Sequence, residues 1–191
     1  MKKKLLIGIT GASGAIYGIR LLQILKDLDV ESHLVVSRAG EMTISYETDY
    51  TPKQVKALGD VNYSVGDLGA ACSSGSFKMD GMIIAPCSMK SLAEIATGVT
   101  STLLTRSADV ILKERRRLVL MVRETPLTNV HLRNMLTLSE MGAIIAPPVP
   151  AFYTKPDDLS QMVDHTLGRV LDLFDIDTGQ IKRWDGSPPA R

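Results

Sequence analysis

The chain has 191 residues and a mass of 20.8 kDa, and 45% of it is hydrophobic, enough to bury one substantial core. Lys and Arg total 22 against 21 Asp and Glu, so the formal net charge is +1, which argues against a dedicated nucleic-acid binder. No apolar run approaches the roughly 20 residues that span a bilayer, and the two cysteines, Cys72 and Cys87, make neither a disulfide framework nor a zinc site.

The basic start, Lys2-Lys3-Lys4, precedes too short an apolar stretch for a secretion signal, so the expectation is a cytoplasmic globular protein. Leu5 to Ile9 is wholly apolar, as in a strand covered on both faces of a parallel sheet. After Thr10-Gly11-Ala12-Ser13-Gly14, Ile16, Ile19, Leu22, Leu25 and Leu28 recur at helical spacing. Ser32 to Val36 reads as a second strand, so the opening predicts a β-α-β unit. Met79 to Ala85 is a third strand, halted by Pro86, and a helix starts near Ser88. Thr102 to Arg115 supports another helix, Leu118 to Val122 a fourth strand, and His131 to Met141 a helix ended by Gly142. Ala143 to Ala146 is a fifth strand before Pro147-Pro148. Leu159 to Phe174 is the last strong helix, whereas Asp60 to Ser76 and the tail from Thr178 carry no clear pattern. The alternation predicts a three-layer α/β domain with a mainly parallel sheet, one domain over residues 1–175 with a C-terminal tail at 176–191 covering the site.

Ligands of such sheets bind beyond the carboxyl ends of the strands, at the crossover point. The first loop, Gly8 to Gly18, places Gly11, Ser13 and Gly14 between strand and helix, where backbone N–H groups can face an anion. It is neither a G-x-G-x-x-G fingerprint nor a Walker loop, and glycines also serve simply to tighten a turn. Ala85 to Ser91 is the second such loop, with Ser88 and Ser91 hydroxyls at a helix start, where a plain cap explains them equally. Ser37 is a third loop hydroxyl. Three polar strand ends suit a flat, polar-edged cofactor. Cys87 carries no feature that would depress its thiol pKa. His33, His131 and His165 read as satisfied packing or surface groups and make no metal site.

Gly11-Ala12-Ser13-Gly14-Ala15, Glu47-Thr48-Asp49, Pro86-Cys87-Ser88 and Lys113-Glu114-Arg115-Arg116 together resemble the flavin prenyltransferases of the UbiX/Pad group. Arg123-Glu124-Thr125-Pro126 and the run from Pro147 to Tyr153 extend the match, which covers about residue 4 to Trp184. Two departures stand out: Arg117 replaces a frequent proline, and Ser91 a frequent threonine. The resemblance implies a Rossmann-like or flavodoxin-like fold, a homododecamer with sites at subunit boundaries, and transfer of a dimethylallyl group to N5 and C6 of reduced FMN. The product would serve a UbiD-type decarboxylase. The alternatives are a directly acting aromatic acid decarboxylase and a non-catalytic FMN carrier.

By the same resemblance, Gly11, Ala12, Ser13, Ser37, Ser88, Met89, Lys90, Ser91 and Arg123 contact FMN. Tyr153 and Arg169 hold the phosphate of dimethylallyl phosphate, joined by Arg106 and Lys113. Ser13, Glu47, Lys113 and Glu124 surround the reacting centre. That chemistry breaks a carbon–oxygen bond as phosphate leaves, and fixed cationic and hydroxylic donors stabilise the developing charge. Glu124 would orient or protonate the departing phosphate, and Glu47 with Ser13 would pass a proton near flavin N5. Phe152 and Trp184 would close the pocket and exclude water. Each has an ordinary alternative: Glu124 as a simple ion pair, Glu47 as a helix terminator, Lys113 as a solvated helix end, Phe152 as core and Trp184 as tail packing. With basic side chains available for the phosphate, no metal is expected.

Overall fold

The computed structural model describes residues 2–179, 181, 183 and 186. Its chain divides into two compact units, residues 1–148 and 149–191. The first holds a six-stranded sheet: β1 (Lys3–Ile9), β2 (Val30–Val36), β3 (Val61–Tyr63), β4 (Gly81–Cys87), β5 (Arg117–Val122) and β6 (Ile144–Ile145). Their spatial order is β3-β2-β1-β4-β5-β6, and every neighbouring pair is parallel. The chain reverses its direction of travel across the sheet between β1 and β4, so the crevice beyond their carboxyl ends is the switch point of a doubly wound fold.

Alternation within the apolar strands feeds two cores. Leu6, Met82, Ile84, Leu118 and Leu120 pack with Leu104, Ala108 and Ile111 of α5 (Leu103–Lys113) and with residues of α4 (Met89–Ala96) and α6 (Asn129–Glu140). On the other face α1 (Ala15–Asp27), with Ile19, Leu22 and Leu25 buried, lies against β1, β2 and β4. The result is the expected three-layer α/β architecture.

Four differences from the sequence reading have physical causes. Ile16 is exposed and Leu28 caps α1 rather than extending it. Helix α2 (Arg38–Glu47) buries only Gly40 and Ile44, so it leaves no apolar stripe to read; Ser37, which accepts from the Gly40 N–H at 3.0 Å, starts it. Helix α3 (Pro52–Lys56) is a five-residue turn set by a Thr51/Gln54 capping box and a proline at its start. Strand β3 is three residues at the sheet edge, inside the segment that carries no pattern, and is too short for alternation to register.

The second unit contains a 3-10 turn at Phe152–Thr154 and α7 (Leu159–Asp172), which buries Val163, Leu167, Val170 and Leu171. Among the described residues no helix is long and apolar enough to cross a membrane.

Candidate active site

Parallel strands deliver their following loops to one edge, and there Gly11, Ser37, Ser88, Lys90 and Ser91 gather. Gly11 approaches α2 so closely that an added Cβ would stand 2.4 Å from the Cβ of Ala39, a distance that only glycine permits. Gly14 has φ +104°, which again favours glycine. Ser37 and Ser88 are both N-caps; Ser88 Oγ accepts from the Ser91 N–H at 3.3 Å. The cap reading of both serines therefore holds. Both serines, with Gly11, Lys90 and Ser91, line a cavity of about 860 Å³, within the usual size range of a cofactor pocket. Ala12 is buried, and Met89 is half-buried against the core at the first turn of α4. Arg123 is the first residue beyond β5, and its N–H donates to the Cys87 carbonyl at 3.2 Å.

One residue absent from the sequence expectations stitches two of these loops. Thr10, 1% exposed, donates from Oγ1 to the Pro86 carbonyl at 2.7 Å and accepts from the Ser88 N–H at 2.8 Å. A hydroxyl ending a wholly apolar strand was the available signal. Arg38, Tyr63 and Thr102 also line the cavity and were missed, because each belongs to an element whose neighbourhood only the folded chain defines.

The start of α1 departs from expectation in an informative way. Its N–H groups do not face open space: Glu47, at the end of α2, accepts from Gly14 at 2.7 Å and from Ala15 at 3.2 Å. The Ser13 hydroxyl also bonds Glu47. Burial pushes this carboxyl up, but the Ser13, Gly14 and Ala15 bonds and the charge of Arg123 outweigh it and hold the carboxyl below its ordinary value. An anion does occupy this helix start, and it is the protein's own carboxylate. Ser13, Glu47 and Arg123 therefore form one polar cluster.

Other predicted residues lie elsewhere. Lys113 ends α5, whose 11 residues span about 16 Å and carry the chain from Thr102 at the cavity back to the amino edge of the sheet, just before β5. Its Nζ pairs with Glu114, and Arg116 is tied to the Gly75 and Phe77 carbonyls. Within one chain, Lys113 and Arg123 therefore lie at opposite ends of β5. Arg106, one turn into α5, donates to Asp109 at 2.7 Å. Glu124 is exposed and accepts from the Thr125 N–H at 3.1 Å.

In the second unit Tyr153 and Arg169 line a common cavity of about 320 Å³, with the Tyr153 hydroxyl 3.3 Å from His165 Nε2. Phe152 is 72% exposed, so it is not core, and Trp184 lies outside the described residues. Cys87 is fully buried, and burial pushes its thiol up to about 12, which fits packing rather than nucleophilic attack. His33 is buried and bonded at both nitrogens, to Tyr63 at 2.9 Å and Glu31 at 2.8 Å. Among the described residues no group of three or more potential metal ligands occurs.

Comparison with known proteins identifies the family. Residues 1–176 match the family described as Flavoprotein. A probable UbiX-like flavin prenyltransferase of Bacillus subtilis is 58% identical over 97% of this chain and 91% of its own. The crystal structure of AnUbiX (PadA1) in complex with FMN and dimethylallyl pyrophosphate is 53% identical, covering 98% of this chain and 100% of that one, with a TM-score of 0.96. A dodecameric FMN-dependent Ubix-like decarboxylase from Escherichia coli O157:H7 is 49% identical over 96% of this chain and 100% of that one, with a TM-score of 0.94. With a matching fold and more than half of its residues identical over nearly its whole length, the chain belongs to the UbiX flavin prenyltransferase family.

Proposed function

We propose that the protein is a flavin prenyltransferase that transfers the dimethylallyl group of dimethylallyl phosphate to reduced FMN. The observation that carries this reading is the convergence of small and hydroxylic residues from the loops after β1, β2 and β4 on one cavity at the switch point. The lining suits FMN: the N-termini of α2 and α4, capped by Ser37 and Ser88, suit its phosphate and polar edge. Reduced FMN, when bound, supplies the electron-rich ring positions N5 and C6 that receive the dimethylallyl carbons.

The chain's own groups do the rest. Gly11, Ala12, Ser13, Ser37, Ser88, Met89, Lys90, Ser91 and Arg123 hold and orient FMN. Tyr153 and Arg169 hold the substrate phosphate, and their common cavity supports this pairing. As the carbon–oxygen bond breaks, ordered donors take up the growing negative charge without reorganising. Ser13 and Glu47, already hydrogen-bonded, provide a path for a proton, and Glu124 orients the leaving phosphate. Lys113 and Arg106 serve the cavity of a second copy in a homododecamer. The position of Lys113 at the far edge and the exposed apolar residues Val130, Leu132 and Leu136 of α6 support such assembly. A UbiD-type decarboxylase consumes the product. The setting is cytoplasmic, where Cys72 and Cys87 persist as free thiols.

The test is anaerobic incubation of the purified protein with reduced FMN and dimethylallyl phosphate, with no decarboxylase present. Mass spectrometry should find flavin heavier by one dimethylallyl unit. Bound but unchanged FMN would instead indicate a carrier, and loss of carbon dioxide from an aromatic acid without any partner would indicate direct decarboxylation. Arg169→Ala and Tyr153→Phe should raise KM for dimethylallyl phosphate while leaving FMN affinity unchanged.

A further inference from the structure

Beside Tyr153 and Arg169, the cavity of the second unit is lined by Ile181 and Arg183, which no motif singled out. Two fastenings bring them there. Ile181 lies so close to Gly168 of α7 that a Cβ added to the glycine would stand 2.5 Å from Ile181 Cγ1. Arg183 meets Asp172, the last residue of α7, through two contacts of 2.9 Å, Nη1 to Oδ2 and Nη2 to Oδ1. This is the fork-to-fork geometry of a strong guanidinium–carboxylate pair. Arg169 Nη1 also donates to Asp172 Oδ2, at 2.7 Å. One carboxylate thus holds two guanidinium groups at a single cavity.

Asp172 takes two donors from Arg183 and one from Arg169, so both keep N–H groups for another acceptor. Asp177 also approaches Arg183, at 3.6 Å, but is largely exposed, where solvent and salt screen it. Hydrogen bonding to Arg183, with the charges of both arginines, holds the Asp172 carboxyl below its usual value against the opposing effect of burial. A carboxylate engaged on both oxygens also repels a nearby phosphate less than a bare one would.

We infer that Arg183 is a further ligand of the substrate phosphate, and that Asp172 is the positioning residue that sets Arg183 beside Arg169. The inference rests on the reading of the Tyr153–Arg169 cavity as the phosphate site. Planar forks are suited to a phosphate's oxygens, and donors locked before the reaction lose little freedom on binding.

The experiment measures dimethylallyl phosphate binding to the FMN-loaded protein by calorimetry, with KM, kcat, FMN affinity and Tm recorded for each variant. Arg183→Ala should weaken binding about tenfold or more and raise KM in parallel, and Arg183→Lys should recover part of the loss. Asp172→Asn should weaken binding in the same sense, and Gly168→Val, which displaces Ile181, should reproduce the Arg183→Ala defect. FMN affinity should stay unchanged throughout. A purely structural role would instead lower Tm and FMN affinity together with substrate binding, and that pattern would overturn the assignment. Arg169→Ala separates the two levels of the argument. If it weakens binding while Arg183→Ala does not, Arg183 is no ligand although the phosphate site stands. If neither substitution changes binding, the reading of the site fails and the assignment falls with it.

Discussion

Replacing Glu47 by Gln keeps shape and an acceptor at the start of α1 but removes the charge. A hydrogen bond to a charged group is worth about 1.5–3 kcal/mol and a neutral one about 0.5–1.5, while a negative charge at a helix N-terminus adds about 0.3–1 kcal/mol. The Glu47 side chain is exposed overall despite its bonds to Ser13, Gly14 and Ala15, so solvent screening reduces the expected loss to about 1 kcal/mol at pH 7. With a urea dependence of about 2–3 kcal/mol per molar, the midpoint should fall by roughly 0.3–0.5 M. The carboxyl is held below its ordinary value in the folded chain, whereas an unfolded glutamate titrates near about 4.3. Its stabilisation is therefore complete above that value and lost as the pH falls through the lower folded value. Urea unfolding followed by circular dichroism at pH 7 and down an acid series should show the two proteins converging. A difference that is the same in acid and at neutrality would mean that shape, not charge, matters, and the account of the α1 start would be wrong.

Two further outcomes follow from buried groups. Thr10→Val strands the Ser88 N–H and weakens the satisfaction of the Pro86 carbonyl, so it should cost about 2–3 kcal/mol in urea unfolding and reduce FMN affinity, while Thr10→Ser should behave nearly as wild type. A wild-type midpoint for Thr10→Val would show that the Thr10 hydroxyl does not hold the two loops together. Cys87, fully buried with its thiol pushed up to about 12, should resist alkylation in the native protein at pH 8 and react after unfolding. Intact-mass detection of native labelling at Cys87 would contradict its burial.

The amino-acid order alone determined the strands that are covered on both faces. Leu5 to Ile9 and Leu118 to Val122 are continuous apolar runs because no side of them meets water. It also determined the helices with a broad buried stripe, α1, α5 and α7, and the loops that carry Gly11, Ser37 and Ser88, since parallel connections send every strand end to one edge. Local pattern reports burial within one element, so α2, with two buried residues, and the three-residue β3 left no trace in it. Only the tertiary structure seated Glu47 on the N–H of Gly14, 33 residues away, and turned Lys113 to the opposite edge from Arg123. It also placed Arg183 against Asp172. Such pairings depend on where each helix returns and which loop it meets. That is decided by packing between distant segments, which no single window of sequence contains.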